Sequence, residues 1–407
     1  MIVSLLLAVG HLRVPVPVPY DVTGIRASRS PLHAGGERDK WCAERVPKND
    51  HDLTNSDWRV LIESMADAPQ NLAAVYSSAE GPTKVGFLLV PSFALLPYAA
   101  AIEPLRAANS LAGRELFSWV HISPDGQPIQ ASNGVTIVPD HHVGAQIELN
   151  LVMVCAGTGV ESFRHAQTLA WLRMLARQGV PLGGISGGAY VLARAGVLGG
   201  YKWTIHWDHM AGIAEEFPLL EMTGKLFEID RDRMTCSGGI TPLDLMHGMI
   251  ARWHGPRLAT AVSDWFLHTN VRHGDGPQRM DIGQRTGVSH AKLLKVLGVM
   301  ESRLEEPASR EELAAIASVS VRQLERLFKV HLGCTLGRYY LELRIRRARD
   351  LMQQTALSVL EVALACGFVS ASHFSRAYRA HFGYAPTVER HRKGRGWPHI
   401  EPNHPPS

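Results

Sequence analysis

Residues 183–196 read GGISGGAYVLARAG. Ser186 stands between Gly184 and Gly188 in the G-x-S-x-G spacing of a nucleophile elbow, a sharp strand-to-helix turn that only small residues permit. Before it, VPLGGI is a short apolar run. After it, GGAYVLARAG has helical periodicity and closes on glycine. The stretch therefore predicts one strand–turn–helix unit, and it raises the question of whether Ser186 attacks anything.

Outward from the elbow the same grammar repeats. TKVGFLLVPSF, beginning at Thr83, is a short apolar strand, and YAAAIEPLRAANSL a helix. FSWVHIS and VTIVPD read as strands, and LNLVMVCAGTG (149–159) as a fully apolar strand ending in a glycine-rich turn. SFRHAQTLAWLRMLARQG (162–179) is helical, KLFEIDRDRMTCSGG (225–239) a hairpin, and 242–253 and 257–268 are helices. Strands that are apolar throughout and alternate with helices predict a parallel sheet covered on both faces. His141-His142 reads as a loop. NVRHGDGPQRMDIGQRTGV (270–288), rich in Gly, Arg and Asp, reads as a linker.

Beyond it the period is helical only, and the sequence repeats itself. VRQLERLFKVHLGCTLG (321–337) aligns without a gap on ASHFSRAYRAHFGYAPT (371–387), bringing Arg326 onto Arg376, His331 onto His381 and Gly333 onto Gly383. Each copy follows a short amphipathic helix and a tight turn, with Ser320 or Ser370 as N-cap. Leu324, Leu327 and Phe328 share one face; Arg322, Glu325, Arg326 and Lys329 share the other. In the second copy Phe374, Ala377 and Tyr378 face inward, and Ser372, Ser375, Arg376 and Arg379 outward. This is the helix-turn-helix pattern of DNA readers, used twice. The intervening TLGRYYLELRIRRARDLMQQT predicts a helix of about 20 residues, ~30 Å at ~1.5 Å per residue, which suits adjacent major grooves ~34 Å apart.

Charge agrees. Residues 301–407 hold 16 Lys/Arg against 11 Asp/Glu, a net of +5, whereas residues 1–300 hold 26 against 27, a net of −1. The basic excess lies where nucleic acid would bind. Five scattered cysteines, never spaced C-x-x-C, give neither a disulfide framework nor a zinc site and suit a reducing cytoplasm. No apolar run is long enough to cross a bilayer. The opening MIVSLLLAVG has no basic residue before its apolar run and is not read as a signal peptide. Residues 1–82 read as an extension outside any packed domain, with Met65 a candidate start.

The segment ALACGFVSASHFSRAYRAHFGYAP, and residues 289–392 with it, resembles the AraC/XylS family of transcriptional regulators. Residues 83–270 resemble the class I glutamine amidotransferase-like, PfpI-type domain, a pairing typical of the GlxA subgroup. The resemblance implies a flavodoxin-like α/β sensor domain, a linker at 271–288, a double helix-turn-helix domain and a tail at 393–407. It also implies promoter DNA and RNA polymerase as partners, and regulators of carnitine, glycine betaine and arginine catabolism as the nearest likeness. In enzymes of the sensor's fold the elbow carries cysteine, served by a His and a Glu. Here the position is Ser186, and His206 in TIHWDH and Glu103 in AIEPLRAAN stand near the places of the other two. A serine needs an adjacent base to act as a nucleophile, and none is assigned, so no catalytic residue is expected.

The elbow is read instead as the floor of an effector site. Beside Ser186, Gly187 N–H and the helix N-terminus receive a carboxylate, and Glu103 supplies a counter-charge. Aromatic residues following the elbow and the first strand (Phe93, Tyr98, Tyr201, Trp203, Trp207, with His206 among them) form a cation–π cage. A zwitterionic amine–carboxylate fits best, a basic amino acid next. His206 and His209 lack an evident third ligand, so neither a metal nor a cofactor is assigned. A homodimer, if formed, uses the sensor domain. Two other readings remain: a PfpI-type hydrolase with a DNA-binding tail, and a purely structural dimerisation domain fused to the reader.

Overall fold

The computed structural model describes residues 81–389. The candidate start Met65, the rest of the N-terminal extension before residue 81 and the tail at 393–407 lie outside the described residues.

Seven strands form one sheet: β1 (Thr83–Leu89), β2 (Phe117–Ser123), β5 (His141–His142), β6 (Leu151–Ala156), β7 (Leu182–Ser186), β8 (Phe227–Asp230) and β9 (Arg233–Cys236), in the order β5-β2-β1-β6-β7-β9-β8. All neighbours are parallel except β8, which runs antiparallel to β9. The His141-His142 pair, expected as a loop, is thus a short edge strand, because its backbone pairs with Ile122 and Ser123. VTIVPD contributes only β4 (Thr136–Ile137), which pairs with β3 (Ile129–Gln130) in a separate ribbon.

The central strands are buried on both faces, which is why they lack polar alternation. Val85, Phe87, Leu89, Met153 and Cys155 point to one side, where α1 (Leu95–Ala112), α5 (Thr241–His254) and α6 (Pro256–Trp265) cover them. Leu88, Val90, Val152 and Val154 point to the other, beneath α2 (Ala166–Arg177), α3 (Gly188–Ala195) and α4 (Met210–Glu216).

Residues 271–288 are not a bare connector. Arg272 donates from its backbone and guanidinium to the fully buried Asp244 carboxylate at 2.6–3.0 Å, and His268 lies 2.8 Å from the same group. Gln278 Nε2 donates to Ile205 O at 2.9 Å and Lys225 O at 2.8 Å. The segment then forms α7 (Ile282–Thr286), capped by Asp281.

The remainder is helical: α8 (Ala291–Ser302), α9 (Arg310–Ile316), α10 (Val321–Leu332), α11 (Leu336–Gln354), α12 (Val359–Ala365), α13 (Ala371–Phe382) and α14 (Pro386–Glu389). They enclose two apolar cores. One gathers α8, α9, α10 and the start of α11; the other gathers the end of α11, α12 and α13. Helix α11 therefore belongs to both. Among the described residues no helix is long and apolar enough to cross a membrane.

Candidate nucleic-acid interface and sensor site

Sequence repetition has become structural repetition. Ser309, Ser320 and Ser358 each form a reciprocal capping box, with Glu312, Gln323 and Glu361, and Ser370 accepts from His373 N–H. Residues 321–333 and 371–383 have the same succession of buried, half-buried and exposed positions throughout. Leu324 and Phe328 in one copy, Phe374 and Tyr378 in the other, are wholly buried. Arg322, Arg326, Lys329, Ser372, Arg376 and Arg379 are exposed on the outer faces.

Glu325 differs from its expected role. It is half-buried, accepts Leu336 N–H at 3.3 Å and lies 3.7 Å from Arg310, so its carboxylate stitches α10 to α11. Ser375, at the matching position, is half-buried too. Lys329 Nζ donates to Gly333 O at 3.3 Å, closing its own helix.

The second motif is braced by residues that periodicity does not reveal. Arg344 of α11 donates to Cys366 O at 2.7 Å and Gly367 O at 2.6 Å, with its guanidinium 4.1 Å over the Phe368 ring. Gly367 is left-handed, and a Cβ there would come within 2.7 Å of Leu304 O and Glu305 O. Glu389, almost fully buried, accepts from the hydroxyls of Tyr378 at 2.7 Å and Tyr384 at 2.6 Å, from Gln353, and from Arg349 at 3.2 Å. Burial alone would raise its pKa; these four partners hold it below the usual carboxylate range.

At the elbow Ser186 is left-handed, with φ 56°. The turn closes because Gly188 has no side chain: a Cβ there would lie 1.9 Å from Val154 O. Gly187 N–H donates to Ala156 O at 3.2 Å, so the amide expected to receive a ligand carboxylate is already committed to the chain. Ser186 N–H and Gly238 N–H turn toward the buried Cys236 sulfur. Burial pushes that thiol up to about 12 in spite of them. Among the described residues no hydrogen bond joins a histidine to Ser186 Oγ.

The expected cage is only partly assembled. Trp203, 1% exposed, is part of the core between the sheet and α3 and is no wall of an open site. Trp207 is 40% exposed, and one face of its ring carries the Arg279 guanidinium at 4.4 Å. Tyr201 lies beneath Arg231 and Arg233 and donates to Asp232, at the hairpin turn beside the start of β7, away from the elbow at its end. Phe93 and Tyr98 are buried against one another, and Tyr98 OH lies 2.7 Å from His121 Nε2. Glu103 pairs with Arg106 at 2.7 Å along α1.

What does converge is His206, Trp207 and His209. The His206 ring centroid is 5.4 Å from that of Trp207 and 6.2 Å from that of His209, and His209 meets Tyr190 of α3 edge-on. Burial lowers the pKa of both histidines, His209 to about 4, so both are neutral at neutral pH. His209 Nδ1 is buried without a partner among the described residues.

Residues 313–392 match a helix-turn-helix domain and residues 84–251 the DJ-1/PfpI family. Among similar proteins is the HTH-type transcriptional regulator GbdR of Pseudomonas aeruginosa, 44% identical over 78% of this chain and 86% of its own length. The regulator CdhR of the same species is 44% identical over 75% and 90%. The regulator GlxA of Rhizobium meliloti is 43% identical over 79% and 99%. Paired helix-turn-helix motifs behind a DJ-1/PfpI-type α/β domain define a DNA-binding transcriptional regulator. Within that class the chain belongs to the AraC family, in the group with an N-terminal PfpI-like sensor domain.

Proposed function

We propose that the protein activates a catabolic operon in response to a small amine–carboxylate metabolite, without catalysing a reaction. The observation that carries the sensor half is the elbow itself: a strained serine with both neighbouring amides engaged and no histidine on its hydroxyl among the described residues. Without a base on the hydroxyl or free amides for an oxyanion this argues against a nucleophile, and it leaves the Ser186 hydroxyl, not the Gly187 amide, to meet a ligand. The effector meets Ser186, His206 and the open face of Trp207. The ring already holds the Arg279 guanidinium on its other face, so a quaternary or guanidino group on the open face binds in competition with that cation. Trp203 and Glu103 act indirectly, by packing and through α1. On the DNA side, Arg322, Arg326 and Lys329 enter one major groove and Ser372, Arg376 and Arg379 the next, with Ser320 and Ser370 fixing the helix starts. Residues 83–270 serve as sensor and as the surface of a homodimer, 289–392 as reader. The protein works in the cytoplasm with RNA polymerase at the promoter.

Calorimetric titration of the full chain with carnitine, glycine betaine, dimethylglycine and arginine tests the effector. Binding of one of them that Trp207→Ala abolishes is expected. No binding at millimolar concentration overturns the assignment. Steady product release from ester or amide substrates, lost in Ser186→Ala, would establish the hydrolase reading instead.

A further inference from the structure

The segment carrying His206 and Trp207 runs on into α4, and α4 does not end within the sensor. It packs on α11, the helix shared by the two reading motifs. Ala211 is buried within the core of the second motif, in the cluster of Ile345, Met352, Phe374 and Tyr378. Gly212 is at the point of closest approach. Its φ is not positive, so the residue is there for space: a Cβ would lie 2.8 Å from Gln354 Cβ and 3.0 Å from Gln354 Oε1. Gln354 Nε2 donates to Asp208 O at 2.6 Å. Six residues of chain thus connect the His206 ring to the floor of the second reader.

The contact is close but brings two acidic residues, Asp208 and Asp350, together. Asp208 is exposed and Asp350 half-buried, and the Asp208 carboxylate adds to the burial that raises the Asp350 pKa. The cations facing them are Arg279, which also covers Trp207, and Arg347 and Arg349 of α11. A contact that rests on one glycine-sized approach and one side-chain hydrogen bond is one that a ligand can bias toward the docked or the released state. With it made, Arg376 and Arg379 remain exposed, so docking does not cover the reading face.

We infer that residues 206–216 are the transmission element between sensor and reader: docked through Gly212 and Gln354 they set how the second motif is held. A ligand that displaces His206 or Trp207 then changes operator binding through α11 and not by occlusion. This rests on the sensor reading only for the ligand; the following test needs operator DNA alone.

Operator duplex is first recovered from a random-sequence library with the unmodified full chain. Linkage requires that if this segment governs DNA binding, DNA must govern the segment. Hydrogen exchange of peptides spanning 206–217 is expected to change about threefold or more when operator is added. In Gly212→Val, exchange there should rise roughly tenfold without DNA and lose its response to operator, with operator affinity altered about fivefold or more. Peptides covering 151–156 and 374–378 should keep their protection, reporting intact cores. Gln354→Ala, which removes one hydrogen bond without steric conflict, should shift all three readouts in the same direction by a smaller factor. Exchange in 206–217 that ignores operator DNA overturns the inference. So does a folded Gly212→Val protein with unchanged operator affinity and an unchanged response.

Discussion

Asp350 offers the sharpest quantitative handle. Burial, with Asp208 as the next contribution, lifts its carboxyl from 3.8 to about 7 against the pull of Arg347, Arg349 and Arg279. Below about pH 4 the group is protonated whether the chain is folded or not. Between about 4 and 7 the unfolded chain ionises while the folded one stays neutral, so stability falls as pH rises; above about 7 the loss is complete. A shift of roughly three pK units at ~1.36 kcal/mol per unit sets the loss near 4 kcal/mol. Asp350→Asn keeps the shape and removes the charge, but its amide needs a partner of its own, so about 2 kcal/mol of net gain is expected at pH ~8. At pH ~5 the two proteins should be nearly equal. Urea unfolding followed by circular dichroism across this range is the assay. An Asp350→Asn protein less stable than its parent at pH ~8, or a difference that does not vary with pH, would refute the reasoning.

Glu389 should behave in the opposite sense: held below its ordinary value, it contributes stability that disappears as pH falls, and Glu389→Gln should lose ~3–5 kcal/mol; an unfolding midpoint left unchanged by Glu389→Gln contradicts the account. Arg326→Ala and Arg376→Ala should stay folded and each lose ~1–3 kcal/mol of operator affinity, read by anisotropy; full affinity would remove these residues from the interface. Trp203→Ala should cost ~3–5 kcal/mol of stability as a core truncation, whereas Trp207→Ala should leave unfolding nearly unchanged and abolish effector binding. Calorimetry and urea titration on the same pair separate the two roles, and equal destabilisation by both would undo the distinction.

Where local pattern determines structure, the sequence was readable. β6 and β7 are buried at every position and, but for Ser186 at the end of β7, carry no polar side chain, because both faces are covered, and the 50-residue repeat survives as identical burial in two helices. The site was less legible because proximity in sequence does not specify direction. YKWTIHW places three aromatic residues within seven positions. Tyr201 turns to the hairpin, Trp203 sinks into the core, and only Trp207 stays open. Backbone donors are invisible in sequence too: nothing in GGISGG tells that Gly187 N–H already serves Ala156. Asp244 with Arg272, Arg344 with the Cys366–Phe368 turn, and Gly212 against Gln354 are long-range pairings. They follow from how finished elements meet, which no helical or strand period encodes.

Helix α11 has one further consequence, for how operators can evolve. Each residue inserted in a helix advances it ~1.5 Å and turns it ~100°, while each base pair advances ~3.4 Å and turns roughly 35°. Seven extra residues bring α11 nearly back to phase, about 20° short of two full turns, yet displace its end by ~10.5 Å, or about three base pairs and ~100° of DNA twist. No short insertion satisfies both screws at once. With Arg344 and Gly367 fastening the second motif to this shaft, the distance between the two recognition segments of one monomer is a fixed quantity. On the proposed engagement of two adjacent grooves, new target promoters are expected to differ in bases within those segments and to keep their separation.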